Sequence, residues 1–184
     1  MQPGSPTAER TRRALSWPVA ALVAAGVTGL ATGALAGDWT RYTNDRFGAS
    51  ADVPAAGFVI QPPPDNNDGR GWKSADGKAE ILIYGSFAGD AANFEEYRRQ
   101  QLESEAADGV TVSYQTGKAN AWFVYSATVD GDIIYLKAIR AQPCAALVVN
   151  HIYFRYPADQ KKRYDPIVAH SAQSLRSEPA MACE

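Results

Sequence analysis

The chain has 184 residues, 46% hydrophobic and 21% charged, an ordinary balance for a single globular domain. Its formal net charge is −2 and no basic stripe runs through it. That combination argues against nucleic-acid binding, which draws most of its affinity from neutralising phosphates.

The chain opens with three segments in a telling order. Arg10, Arg12 and Arg13 make a positive region, Leu15 to Leu35 an apolar stretch, and Ala34-Leu35-Ala36 a small-x-small site ahead of the polar Gly37-Asp38. The order predicts a signal peptide over residues 1–36, cleaved between Ala36 and Gly37, and therefore a periplasmic protein. An apolar stretch of about 20 residues also suits an uncleaved membrane anchor, and only then would the membrane be a partner. Pro18, Gly26, Gly29 and Gly33 weaken such a helix, and no basic stop-transfer cluster follows. Thr11-Arg12-Arg13-Ala14-Leu15 resembles a twin-arginine export motif, from which Ser16-Trp17 departs. By that route the domain would fold before crossing. Residues 37–184 carry 15 Lys and Arg against 19 Asp and Glu, a mildly acidic domain.

Two short strands are expected around 40–43 and 49–53, joined at Asn44-Asp45 and ended by Pro54. Pro62-Pro63-Pro64 and Asp65-Asn66-Asn67-Asp68-Gly69 make a loop, because proline cannot join a ladder and the rest is turn chemistry. Residues 72–74 and 78–87 read as a hairpin around Asp76-Gly77. A helix over 93–107 follows, capped by Asn93, with Glu95 and Glu96 in its first turn and Gly109 as its stop. Four strands come next, at 110–115, 122–129, 132–141 and 145–156, with turns at Gly117-Lys118, Asp130-Gly131 and Gln142-Pro143. A last helix spans 158–176, with a break expected near Asp165-Pro166, and residues 178–184 form a C-terminal tail.

Short links imply antiparallel pairing. Apolar runs such as Ile81-Leu82-Ile83, Ile133 to Leu136 and Leu147 to Val149 imply strands covered on both faces. The available covers are the two helices and Phe58-Val59-Ile60. The expected fold class is α+β: one antiparallel β-sheet flanked by helices on both faces, a single domain over residues 37–177.

A tryptophan, then Tyr42-x-Asn44-x-x-Phe47-Gly48, then Val53-Pro54 and Phe58, resembles the opening of PsbP-like domains. The order of elements is similar too. Val53-Pro54, Gly69-Arg70, Ser74-Ala75-Asp76-Gly77, Tyr156-Pro157 and Tyr164-Asp165-Pro166-Ile167-Val168 resemble a group of alphaproteobacterial periplasmic proteins of the same kind. The likeness covers most of residues 39–177. The PsbP group includes accessory proteins of photosystem II, so the resemblance implies an α/β/α sandwich and a binding or assembly role. It carries over no ion-site residues and no chemistry.

The chemical constellations are sparse. Asp65 to Gly69 is the one calcium-like string, but Gly69 stands fifth where an EF-hand needs glycine sixth, and position twelve is Asp76. His151 and His170 have no Cys or His at ligand spacing, so no metal and no cofactor are expected. Ser86 misses the G-x-S-x-G elbow. Glu95, Glu96, Glu103 and Glu105 read as a solvated helix face, and Asp130 and Asp132 as turn residues. No catalytic residue emerges. Cys144 and Cys183 are the most specific pair: two cysteines in an oxidising compartment usually form a disulfide, here one pinning the C-terminus to a hairpin. Unpaired thiols or a bridge to another chain are the alternatives. The function expected is that of a non-catalytic periplasmic binding or accessory protein with a protein partner. A small-ligand or lipid carrier and a hydrolase are the rivals, distinguished by a concave pocket with converging polar groups against an exposed aromatic patch.

Overall fold

The computed structural model describes residues 38–184, so the leader and the expected cleavage site at Ala36 and Gly37 lie outside the described residues. In chain order the elements are β1 (Trp39–Thr43), β2 (Ala49–Pro54), β3 (Phe58–Ile60), β4 (Gly69–Ser74), β5 (Glu80–Phe87), α1 (Phe94–Ala107), β6 (Thr111–Lys118), β7 (Trp122–Val129), β8 (Asp132–Arg140), β9 (Val148–Pro157), α2 (Lys161–Ser174) and β10 (Arg176–Ser177). Local chemistry sets many of these bounds. Asn93 Oδ1 accepts the Glu96 backbone N–H at 3.0 Å, capping α1, and Asp108 and Gly109 close it. The β4–β5 hairpin turns at Gly77, and the β7–β8 hairpin at Asp130 and Gly131, whose φ angles of 50° and 84° are what a tight reversal needs.

All pairings are antiparallel, but there are two sheets where one was expected. Seven strands run in the order β3-β4-β5-β9-β8-β7-β6, while β1, β2 and β10 form a separate three-stranded sheet. The cause is in β2. Its inward residues Ala49, Ala51 and Val53 are small enough for the strand to lie flat against the larger sheet beside α2, in one core with Ile81, Ile152, Phe154, Ile167 and Val168. The Phe58 segment is likewise no cover. It is β3, the edge of the large sheet, with Val59 and Ile60 exposed.

Strands β8 and β9 send alternate side chains to two cores. Ile134, Leu136, Ala138 and Val149 join Phe94 and Tyr97 of α1, whereas Ile133, Tyr135, Ile152 and Phe154 pack with Tyr164, Ile167 and Ala172 of α2. Burying both sets accounts for the unbroken apolar runs of these strands. Pro166 does not break α2, which continues through it. The lost bond falls on the carbonyl of exposed Lys162, four residues back, where water can replace it.

Residues 178–184 are not a free tail. β10 pairs with β2, Glu178 N donates to Gly48 O, Met181 N to Asp45 O and Ala182 N to Arg46 O. The Tyr42-x-Asn44-x-x-Phe47-Gly48 pattern belongs to this junction. Buried Asn44 accepts from Phe47 N at 2.8 Å and donates to Asn67 O at 3.0 Å, tying the β1–β2 turn to the proline loop. Gly48 has φ +73°, and a Cβ there would stand 2.1 Å from Glu178 O.

Candidate interaction surface

The residues singled out by sequence go to structural tasks. Cys144 and Cys183 come together, with sulfurs 2.17 Å apart and Cα atoms 4.6 Å apart, at disulfide distance. They join the loop after β8 to the C-terminal residues, around a small core of Phe47, Ala141 and Val148. The Asp65–Gly69 string closes on itself through an Asn66 to Asp68 bond, and among the described residues no three His, Cys, Asp or Glu gather as metal ligands. Glu95 accepts from Asn120 N, Glu105 from the Tyr125 hydroxyl, Glu103 pairs with Arg99 and Asp132 with Arg155. The helix carboxylates and the hairpin Asp are thus spoken for locally.

The two histidines differ. His151 is fully buried, stacked on Tyr84 at 4.5 Å, and its Nε2 shares a 2.8 Å hydrogen bond with the Tyr97 hydroxyl. Nδ1 has no partner in hydrogen-bond geometry. Burial, weakly opposed by the Tyr84 backbone, pushes its pKa down to about 3. His170 lies at the surface, where Trp39 stacks on it at 3.8 Å and Asp52 approaches its Nε2 at 3.1 Å. Partial burial of Asp52 resists ionisation, but hydrogen bonds from Arg41 and His170 outweigh it and hold the carboxyl below its usual range.

Two concave features deserve comparison. One is a small pocket of about 150 Å³ walled by Trp39, Pro54, Phe58, Tyr164 and Ile167, with Asp38 and Arg163 on its lining. The other is a groove of about 320 Å³ between α2 and the β6–β7–β8 end of the large sheet. Sequence reasoning missed this groove. Its floor comes from cross-strand neighbours: Tyr114 of β6 faces Ser126 of β7, which faces Tyr135 of β8, and one row on, Thr116, Val124 and Lys137 align. Trp122 and Lys118 follow on the same side. Tyr114 is 57% exposed and Trp122 and Tyr135 are half-buried, so three aromatic rings meet solvent where α2 ends its cover. β6 is the outermost strand, and its far edge has no backbone partner among the described residues.

The groove is also electrostatically one-sided. Among the described residues its lining holds no Asp or Glu. Lys137 Nζ donates to the Ala172 carbonyl at 2.7 Å, and Arg176 donates to the carbonyls of Gln173 and Leu175. These bonds satisfy the C-terminus of α2 without neutralising either cation. Burial, and then the neighbouring charge of Arg176, lowers the pKa of Lys137.

No family model and no curated protein matches the sequence. Solved structures share the fold. Cyanobacterial PsbP (CyanoP) of Synechocystis aligns with TM-score 0.56 and 10% identity over 83% of this chain and 100% of its own. The Ran-binding protein Mog1p of Saccharomyces cerevisiae aligns with TM-score 0.54 and 12% identity over 77% and 96%. A mutant form of Mog1 gives 0.55 and 10% over 77% and 97%. At such identities the likeness is one of fold alone: antiparallel sheets with two helices, in the arrangement that PsbP and Mog1 share.

Proposed function

We propose that this chain is a non-catalytic accessory protein that works in the periplasm, on a PsbP-like α/β/α sandwich, by docking a protein partner. The observation that carries the reading is the open aromatic groove of Tyr114, Trp122 and Tyr135 beside the unpaired edge of β6. Clustered aromatic side chains reaching solvent are a liability in a monomer and an asset in an interface. The signal-like leader and a cysteine pair at disulfide distance suit an oxidising compartment. One structural neighbour, Mog1p, is a Ran-binding protein, which is in keeping with a partner-docking use of this fold. The carrier reading is weaker. The pocket at Trp39 and Tyr164 holds about 150 Å³, below the several hundred Å³ that a drug-sized or larger ligand fills, and the larger hollows at Pro62 to Pro64 and at β6 are open grooves that would leave such a ligand in water.

The test is a photo-crosslinking amino acid placed in turn at the exposed apolar positions Tyr114, Val59, Phe87 and Met181, in cells of the native host. A discrete adduct with a second protein, identified by mass spectrometry, is expected. No protein adduct from any of the four positions would sink the reading.

A further inference from the structure

The chemistry of the groove specifies its occupant more closely. We propose that it docks an extended, acidic segment of a protein partner, with apolar or aromatic side chains on the groove floor and carboxylates beside Lys118, Lys137 and Arg176. This rests on the partner-docking reading above and adds the class of partner.

Three observations point the same way. The first is shape and composition: Tyr114, Trp122 and Tyr135 present ring faces and edges on a sheet surface, which suits apolar and aromatic side chains rather than a polar surface. The second is charge. Although residues 37–184 are net acidic, with 19 Asp and Glu against 15 Lys and Arg, this region is not. Lys118, Lys137 and Arg176 make no ion pair among the described residues, and the groove lining brings Lys137 with no Asp or Glu to balance it. Unpaired cations around an apolar floor are complementary to a carboxylate-bearing ligand and repel a basic one. The third is the backbone. Beyond the bulge between Val112 and Tyr114, the ladder of β6 with β7 is regular from Tyr114 to Lys118, so the outer edge of that stretch offers alternating N–H and C=O groups. An extended segment pairing there would set alternate side chains on the groove side, level with Tyr114, Thr116 and Lys118.

A random-peptide display library selected on the purified protein tests this. Enriched peptides should combine aromatic or large aliphatic residues with Asp or Glu. Their affinity should fall about tenfold on Lys118→Glu and on Tyr114→Ala, and weaken as salt rises. Both positions are exposed, so an unchanged melting temperature certifies that the variants are folded. Equal recovery on the wild type and on the Tyr114→Ala/Lys118→Glu double variant overturns the proposal, as do enriched peptides without acidic residues. The two readings fail separately. Protein adducts from Val59 or Phe87 with none from Tyr114 would leave a docking protein whose groove is idle; adducts from nowhere would remove both.

Discussion

Acidification should destabilise the domain through a single buried residue, His151. Protonating it would make both ring nitrogens donors on a ring wholly out of water, with only the Tyr84 backbone to favour the charged form. The groups packed on it are the tyrosines Tyr97 and Tyr84, which bring no negative charge to a protonated ring. Its pKa therefore falls from 6.5 to about 3 on folding. The sign follows from linkage: where the folded value is the lower one, the unfolded chain takes up the proton first. Stability is then whole above the unfolded value and drains away as the pH falls towards the folded one. Between about pH 7.5 and about pH 5 the loss is roughly 2 kcal/mol. The carboxylates Asp52 and Asp76 are held below the usual carboxylate range by their hydrogen-bond partners, so they stay ionised throughout that window and add nothing. Urea unfolding followed by tryptophan fluorescence should show the midpoint falling by about 1 M over this range, at a typical denaturant slope. His151→Gln, which keeps a partner for Tyr97 and cannot titrate, should flatten the dependence. Should that variant fold poorly, the ¹³Cε1 shift of His151 in the wild-type protein decides the matter. A wild-type midpoint that does not move, or an imidazole already protonated at about pH 5, would refute the reasoning.

Further outcomes are expected. Cys144 and Cys183, 39 residues apart, should be disulfide-linked in protein from its native compartment; reduction should cost roughly 3–4 kcal/mol by loop entropy and loosen the C-terminal segment first, as hydrogen exchange would show. Two alkylatable thiols in fresh protein would count against it. Gly48→Ala should destabilise by about 2 kcal/mol or more in thermal unfolding, because the new Cβ meets the Glu178 carbonyl and the residue must keep a positive φ; a change within about 0.5 kcal/mol would contradict that account. N-terminal sequencing of the native protein should begin at Gly37, and an intact Met1 in the membrane fraction would favour the anchor.

What sequence could reveal divides by range of interaction. The Asn93 cap, the Asp76-Gly77 and Asp130-Gly131 reversals and the β7 bounds are decided within a few residues, and their chemistry is visible in the chain. Gly117 shows the opposite. It reads as a turn, yet it sits inside β6, where a Cβ would come within 2.7 Å of the Trp122 carbonyl; the reversal falls at Asn120, with φ 56°. β6 therefore runs on to Lys118, past the expected end at 115, and carries Thr116 and Lys118 on the face of Tyr114. The choice of sheet for β2 was hidden for another reason. Nothing local distinguishes a strand that joins a ladder from one that lies across it, and here the decision depends on α2 and β10, more than 100 residues later. The ring contacts of His151 with Tyr97, 54 residues away, and of Trp39 with His170 are likewise set by residues distant in sequence.

The groove follows from how the two helices are offset along one sheet. α1 packs with side chains of β7 and β8, including Phe123, Tyr125 and Leu136, while α2 and β2 share a core with Trp72, Ile81 and Ile152 of β4, β5 and β9. Each helix thus leaves the opposite end of its own face without a helical cover. On the α1 side that end is the β4–β5 region, a groove of about 500 Å³ against Pro62 to Pro64. There the floor carries Gly69 and Gly71 opposite Tyr84 and Leu82, and Lys73 is matched by Glu80 across the hairpin. On the α2 side the corresponding end carries Tyr114, Trp122 and Tyr135 with Lys137 and no carboxylate. The two bare quadrants arise from the same geometry and both carry apolar surface; what sets the β6 end apart is three aromatic rings beside a cation with no carboxylate on the lining, whereas Asp68 and Glu80 balance Arg70 and Lys73 at the β4–β5 end.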